Sequence, residues 1–140
     1  DVCHPEEKLD RVRVLIVDEN CDFIEGVSAW FGGHPSISIV GSAHTVVEAI
    51  LELARLRPDL VLVDARTRPA GGFDATRRFR ELHPGIVIVM TSIHGSAAVR
   101  RAVAEAGADH FLEKSQVAEG LAEIVRGMLG KDQAQKKTSG

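Results

Sequence analysis

Residues 13–20 read RVLIVDEN and residues 60–66 read LVLVDAR. In each, four apolar residues run straight into an aspartate, Asp18 in the first and Asp64 in the second. A run with no polar alternation has no face for water. It belongs to a strand covered on both sides, the state of strands in a parallel sheet. A carboxylate closing such a run needs a partner, because an isolated charge at a buried strand end is costly.

The rest of the chain repeats the same grammar. Val12–Val17 is the first strand. Residues 22–32 place Phe23, Val27, Trp30 and Phe31 at helical spacing, with Trp30 and Phe31 expected in the core, and Gly32-Gly33 stops that helix. Ser36–Val40 is a second strand. Thr45-x-x-Glu48 is a capping box opening a helix with Val46, Val47, Ile50, Leu53 and Ala54 on its apolar stripe. Pro58-Asp59 introduces the strand Leu60–Val63. A helix over 73–83 carries Ala75, Phe79 and Leu82. Pro84-Gly85 precedes the apolar run Ile86–Met90. A small, alanine-rich helix follows over 96–106, with Gly107 at its C′ position. His110–Leu112 is a short strand, and Val117, Leu121, Ile124, Val125, Met128 and Leu129 form one helical stripe. Five strands alternating with five helices predict a doubly wound α/β sandwich in one domain over 12–130. Residues 1–11 read as a flexible N-terminus, and KDQAQKKTSG (131–140) as a polar tail or linker.

Bulk properties exclude several classes. At 140 residues, 44% hydrophobic and a net charge of −3, the chain has an ordinary core and no bulk attraction to nucleic acid or anionic lipid. Aromatics are 4% with no tyrosine, too few for a base-stacking platform. Cys3 and Cys21 lie in no CxxC or CxxH pattern, so reduced thiols in a cytoplasmic protein are expected. No apolar run approaches the ~20 residues that span a bilayer, and no signal peptide is visible.

In open α/β sheets, sites form beyond the carboxyl ends of the strands, at the switch point of strand order. Asp18 and Glu19 follow the first strand, Asp64 the third, Thr91 and Ser92 the fourth, and Lys114 lies just beyond the fifth. Two like charges ~4 Å apart repel by ~4 kcal/mol at an effective dielectric near 20. Lys114 offsets one charge, and a divalent cation offsets two. Oxygen donors without nearby histidine or cysteine pairs suit Mg²⁺. With a hydroxyl and a lysine added, the set matches a phosphoryl group, whose phosphorus one carboxylate could attack.

VLIVDEN, PDLVLVDAR…GGF, VMTS and GADHFLEKS, in that order and each at a strand end, resemble the receiver domain of two-component response regulators across residues 12–130. The resemblance implies a flavodoxin-like (βα)5 fold of sheet order 2-1-3-4-5. It implies that Asp64 accepts a phosphoryl group from a histidine kinase or phosphotransfer protein. Mg²⁺ would be held by Asp18, Glu19, Asp64 and the backbone carbonyl of Arg66. Lys114 would pair with the phosphoryl group, and Phe111 would be a switch aromatic. The hydroxyl is Ser92 or Thr91, with Ser92 favoured because it gives the usual spacing of 22 to Lys114 where Thr91 gives 23. The family signals through the surface of the fourth helix, fifth strand and fifth helix, which also supports homodimers. Lys114-Ser115 resembles the branch with a helix-turn-helix output domain. No such domain lies in these 140 residues, so DNA contact is expected only through one, and no membrane contact is expected.

Two departures stand out. Arg68 occupies the place where the family has proline, with Pro69 next, and Arg66 puts a cation beside the acceptor, where it could touch the phosphoryl group or screen the pocket. The competing reading is a receiver-like interaction module that works without phosphate. A nucleotide or flavin binder is disfavoured by the lack of GxGxxG and GxxxxGK. Arg77, Arg78 and Arg80 read as a solvated helix face, Cys21 as a structural thiol, and His94, two residues past Ser92, either as a residue that affects access to the phosphate or as a simple surface histidine.

Overall fold

In the computed structural model, residues 10–69 and 71–139 are described, with 131–139 as backbone only. The expectations for residues 1–9, including Cys3, fall outside them. The elements are β1 (Val12–Val17), α1 (Cys21–Trp30), β2 (Ile37–Ala43), α2 (Val46–Leu56), β3 (Leu60–Asp64), α3 (Gly71–Leu82), β4 (Val87–Ser92), α4 (Ala97–Ala106), β5 (His110–Glu113), a 3-10 turn (Lys114–Gln116) and α5 (Val117–Ser139). All neighbouring strands are parallel, in the order β2-β1-β3-β4-β5. This is the doubly wound sandwich that the apolar runs imply, with the flavodoxin-like sheet order that the family resemblance implies.

Every residue of β3 is buried, which explains why LVLVD carries no polar alternation. The period of two sends its side chains to two cores. Val61 and Val63 join Leu15, Val17, Ile88 and Met90 under Leu53 of α2 and Phe79 of α3. Leu60 and Leu62 join Val14, Ile16 and Val89 against Val27 of α1 and Leu121 of α5.

Helix starts are set by local chemistry. Asn20 caps α1, its side chain accepting from the backbone N–H of Asp22 and Phe23. Thr45 caps α2, accepting from Glu48 N at 3.1 Å, while the Glu48 carboxylate reaches back to His44 N at 2.9 Å. The backbone over 131–139, expected as a tail or linker, continues α5.

Three placements differ from the sequence reading. Trp30 is 68% exposed rather than core. Ile24 and Val27, with Phe31 at the C-cap, already fill the arc of α1 that faces the sheet, and Trp30 falls at its edge. On α2 the buried stripe is Val46, Ala49 and Leu53, leaving Val47 and Ala54 exposed. Arg80 is no solvated residue. Its guanidinium donates to the carbonyls of Pro84, Ile86 and Gly107 and pairs with Asp109 at 2.6 Å, fastening the end of α3 to the start of β4 and the α4–β5 turn. Arg77 and Arg78 are exposed, as the solvated-face reading has them.

Candidate functional site

β1 and β3 lie side by side at the centre of the sheet, with Val17 registered on Val63. The next residue on each strand is therefore a carboxylate at the same edge. Asp18 is 2% and Asp64 5% exposed. Each uses one oxygen locally. Asp18 Oδ1 accepts from Asn20 N at 2.8 Å, and Asp64 Oδ2 accepts from Arg66 N at 3.1 Å. The other two oxygens, Asp18 Oδ2 and Asp64 Oδ1, are buried with no hydrogen-bond partner in good geometry.

Both face Lys114. Its side chain leaves the turn after β5 and lays Nζ 2.7 Å from Asp18 Oδ2 and 3.4 Å from Asp64 Oδ1. Nζ also stands 4.5 Å from the Phe23 ring centroid, a cation–π contact that steadies it from α1. Two carboxylates around one ammonium leave the pocket one negative charge in excess. Burial, and then the Asp18 charge, push the Asp64 carboxyl above its ordinary value, while Lys114 and the Arg66 N–H pull it down. Hard oxygen donors facing only Lys114, in a negatively charged pocket, fit a divalent cation such as Mg²⁺.

Glu19, the third carboxylate of the expected set, is already engaged. Arg68 grips it twice through the guanidinium, Nε to Oε2 at 3.0 Å and Nη2 to Oε1 at 3.1 Å, and once through its backbone N–H at 2.9 Å. That arginine is the first cause of a Glu19 pKa held below the carboxylate norm. Accordingly, among the described residues no three His, Cys, Asp or Glu side chains converge as a metal cluster. Arg66 is exposed, and its guanidinium makes no hydrogen bond or ion pair among the described residues. The cation that engages the acidic loop is Arg68, 49 residues from its partner. The family departure at position 68 was the only sequence signal for it.

Of the two candidate hydroxyls, Thr91 is fully buried, registered against Asp64, and its Oγ1 has no partner. Ser92 ends β4 and is half-buried. Phe111 is half-buried, with the Arg100 guanidinium 4.9 Å above its ring. A side-chain carbon at Gly95 would lie 2.7 Å from that ring, so the ring packs where only hydrogen fits. Cys21 is exposed, 3.5 Å from His44 Nε2, and His94 is exposed.

The raised Asp64 pKa has a sign for stability. A carboxyl whose folded pKa exceeds its unfolded value of 3.8 gives stability that is complete below that value and lost as pH rises through the folded pKa. Asp64→Asn removes the penalty. The variant is expected to melt about 3 °C higher than the parent at pH 7 without Mg²⁺, with a flatter profile of Tm against pH in acid. A lower Tm than the parent at pH 7 would count against a strained carboxylate.

A doubly wound sheet with a lysine-bridged carboxylate pair at its switch point defines a class of acidic-pocket α/β domains. Within that class, the model for the response regulator receiver domain matches residues 14–126, and the chain belongs to that family. It is thus a receiver domain of two-component systems. It is 30% identical over 115 residues to the response regulator GacA of Pseudomonas viridiflava, covering 82% of this chain and 52% of that protein. It is 36% identical over 109 residues to a protein-glutamate methylesterase/protein-glutamine glutaminase of Syntrophus aciditrophicus (strain SB), covering 76% of this chain and 31% of that protein. The chain thus spans about half or less of these curated relatives. The response regulator domain of Thermotoga maritima CheB superposes with a TM-score of 0.76 at 24% identity, over 86% of this chain and 97% of that one, a likeness of fold. Among the described residues, no helix is long and apolar enough to cross a membrane.

Proposed function

We propose that this receiver domain is a phosphoryl-accepting switch, with Asp64 as the acceptor. The observation that carries the reading is Asp64 Oδ1, buried beside Asp18 Oδ2 with Lys114 Nζ shared between them. Oδ1 attacks phosphorus in line. The new O–P bond forms as the bond from phosphorus to the donor, a phosphohistidine of a sensor kinase or phosphotransfer protein, breaks. Lys114 Nζ, already 3.4 Å from Oδ1, swings onto an incoming phosphoryl oxygen, and the Ser92 hydroxyl, at the open end of β4, donates to another. Thr91, fully buried, is the less reachable hydroxyl. Asp18, Asp64, Glu19 and the Arg66 carbonyl would hold Mg²⁺, which would supply the remaining charge neutralisation.

Withdrawal of Ser92 and Lys114 toward the phosphoryl group pulls on β4 and on the turn after β5. Phe111, between these and Arg100 of α4, transmits the shift to the α4–β5–α5 face, where a second copy or an output domain docks. The chain catalyses only its own phosphorylation and dephosphorylation, in the bacterial cytoplasm, and DNA is reached only through an output domain.

A second reading, a phosphate-independent interaction module, draws support from Glu19 being engaged by Arg68. Acetyl phosphate with Mg²⁺ separates the two. Intact mass spectrometry is expected to register one added phosphoryl group on the parent protein and none on Asp64→Asn. No gain on the parent across a full Mg²⁺ series would favour the module.

A further inference from the structure

We propose that Arg68 is a built-in competitor for the divalent cation: its guanidinium holds the Glu19 carboxylate, and the cation recruits that carboxylate only by displacing it. The inference rests on the acidic pocket being a cation site. Its basis is the two-pronged contact of Arg68 on Glu19, at 3.0 and 3.1 Å, made by a residue that immediately follows the acceptor's own turn. A planar guanidinium matched to both carboxylate oxygens occupies the donor atoms that a metal ion would use. The same pocket shows what this leaves behind. Asp18 Oδ2 and Asp64 Oδ1 remain directed at Lys114, and the third carboxylate is withheld.

The grip is built to be reversible. Arg68 is 79% and Glu19 36% exposed along their side chains, so water screens the pair. When the guanidinium leaves, the Arg68 backbone N–H still holds Glu19 Oε2 at 2.9 Å. Glu19 therefore stays near the pocket mouth while its outer lone pairs are freed. Release also has a mechanical path. The Arg68 carbonyl accepts from Val46 N at 2.9 Å, at the first residue of α2. One residue thus joins the cation-binding loop of β1, the acceptor loop of β3 and the start of α2, and cation entry is coupled to all three.

Two measurements on the full chain test this. Calorimetric titration with MgCl₂ is expected to show Arg68→Ala binding about 5-fold tighter than the parent, the fold-change of an exposed ion pair at the upper end of its usual range. Asp18→Asn is expected to bind Mg²⁺ more weakly than the parent. In the ¹⁵N spectrum of the parent, the Arg68 Nε–H signal is expected to be sharp without Mg²⁺ and to broaden or vanish at saturation, as the guanidinium returns to solvent. If Asp18→Asn binds as the parent does, or none of these proteins binds Mg²⁺, the cation site itself falls and the competition with it. If Asp18→Asn weakens binding while Arg68→Ala stays within about twofold of the parent, or the Nε–H signal ignores saturating Mg²⁺, the competition alone is overturned.

Discussion

Lys114→Ala is expected to destabilise the domain by about 3 kcal/mol, a fall in Tm of about 10 °C at pH 7 without Mg²⁺. The reason is what the lysine leaves behind rather than what it contributes by itself. Its ammonium is the only charge of opposite sign against Asp18 Oδ2 and Asp64 Oδ1 among the described contacts, and both oxygens are buried. Without it, two carboxylates confront each other in a poorly solvated pocket, and each must be protonated, repelled or rehydrated. The double variant Lys114→Ala/Asp64→Asn should recover much of the loss, since one carboxylate alone has no neighbour to repel. Millimolar Mg²⁺ should recover part of it in the single variant. Urea denaturation of the four proteins of this cycle reads the coupling directly. A loss under about 1 kcal/mol, or no recovery in the double variant, would mean the pocket is wetter than its geometry implies.

Gly72→Ala is expected to cost about 3 kcal/mol, the upper range for forcing a methyl into a filled space. An added Cβ would stand 2.4 Å from the Asp64 carbonyl oxygen, 2.7 Å from Ala65 Cα and 3.0 Å from Asp64 C. All three are backbone, so no side chain can rotate away. The Asp64 carbonyl is already pinned by Thr67, whose hydroxyl donates at 2.8 Å and whose N–H donates at 3.1 Å. Relief must come from moving either the start of α3 or the Asp64 backbone, so, with Asp64 as the proposed acceptor, the rate of phosphorylation by acetyl phosphate should fall together with stability. Gly71, its neighbour, is a glycine for another reason, a φ of 86°. Gly71→Ala meets only a backbone-conformation penalty of about 1 kcal/mol. Equal or reversed costs for the two variants would show that the close approach of α3 to Asp64 is less rigid than described.

The sequence made some of this legible and hid the rest, for physical reasons. VLIVD and LVLVD reveal buried parallel strands because burial on both faces erases polar alternation, and their terminal aspartates mark the site edge. Strand ends were read short by one to three residues, at Ala43, Asp64, Ser92 and Glu113. These residues lie where pairing outlasts apolar composition. Trp30 was misplaced because helical spacing says which residues share an arc, not where the sheet cuts it. The Arg80 fastening and the Arg68–Glu19 grip join residues 29 and 49 positions apart. No local period encodes such contacts, and an arginine in a charged stretch reads as solvated until the opposite segment is in place.

The placement of β3 has a kinetic consequence. It is the middle strand of five, fully buried, and its amides are expected to exchange with solvent only when the whole domain unfolds. β5, at the sheet's edge, has four residues and no buried one, so its amides are expected to exchange through small local openings. On the proposed function, chemistry at Asp64 would therefore begin on the most deeply buried strand, and Lys114, in the turn after β5, would connect it to an edge strand with no buried residue. On that reading, a modest free energy released at the rigid strand would be enough to redistribute the conformations of the loose one.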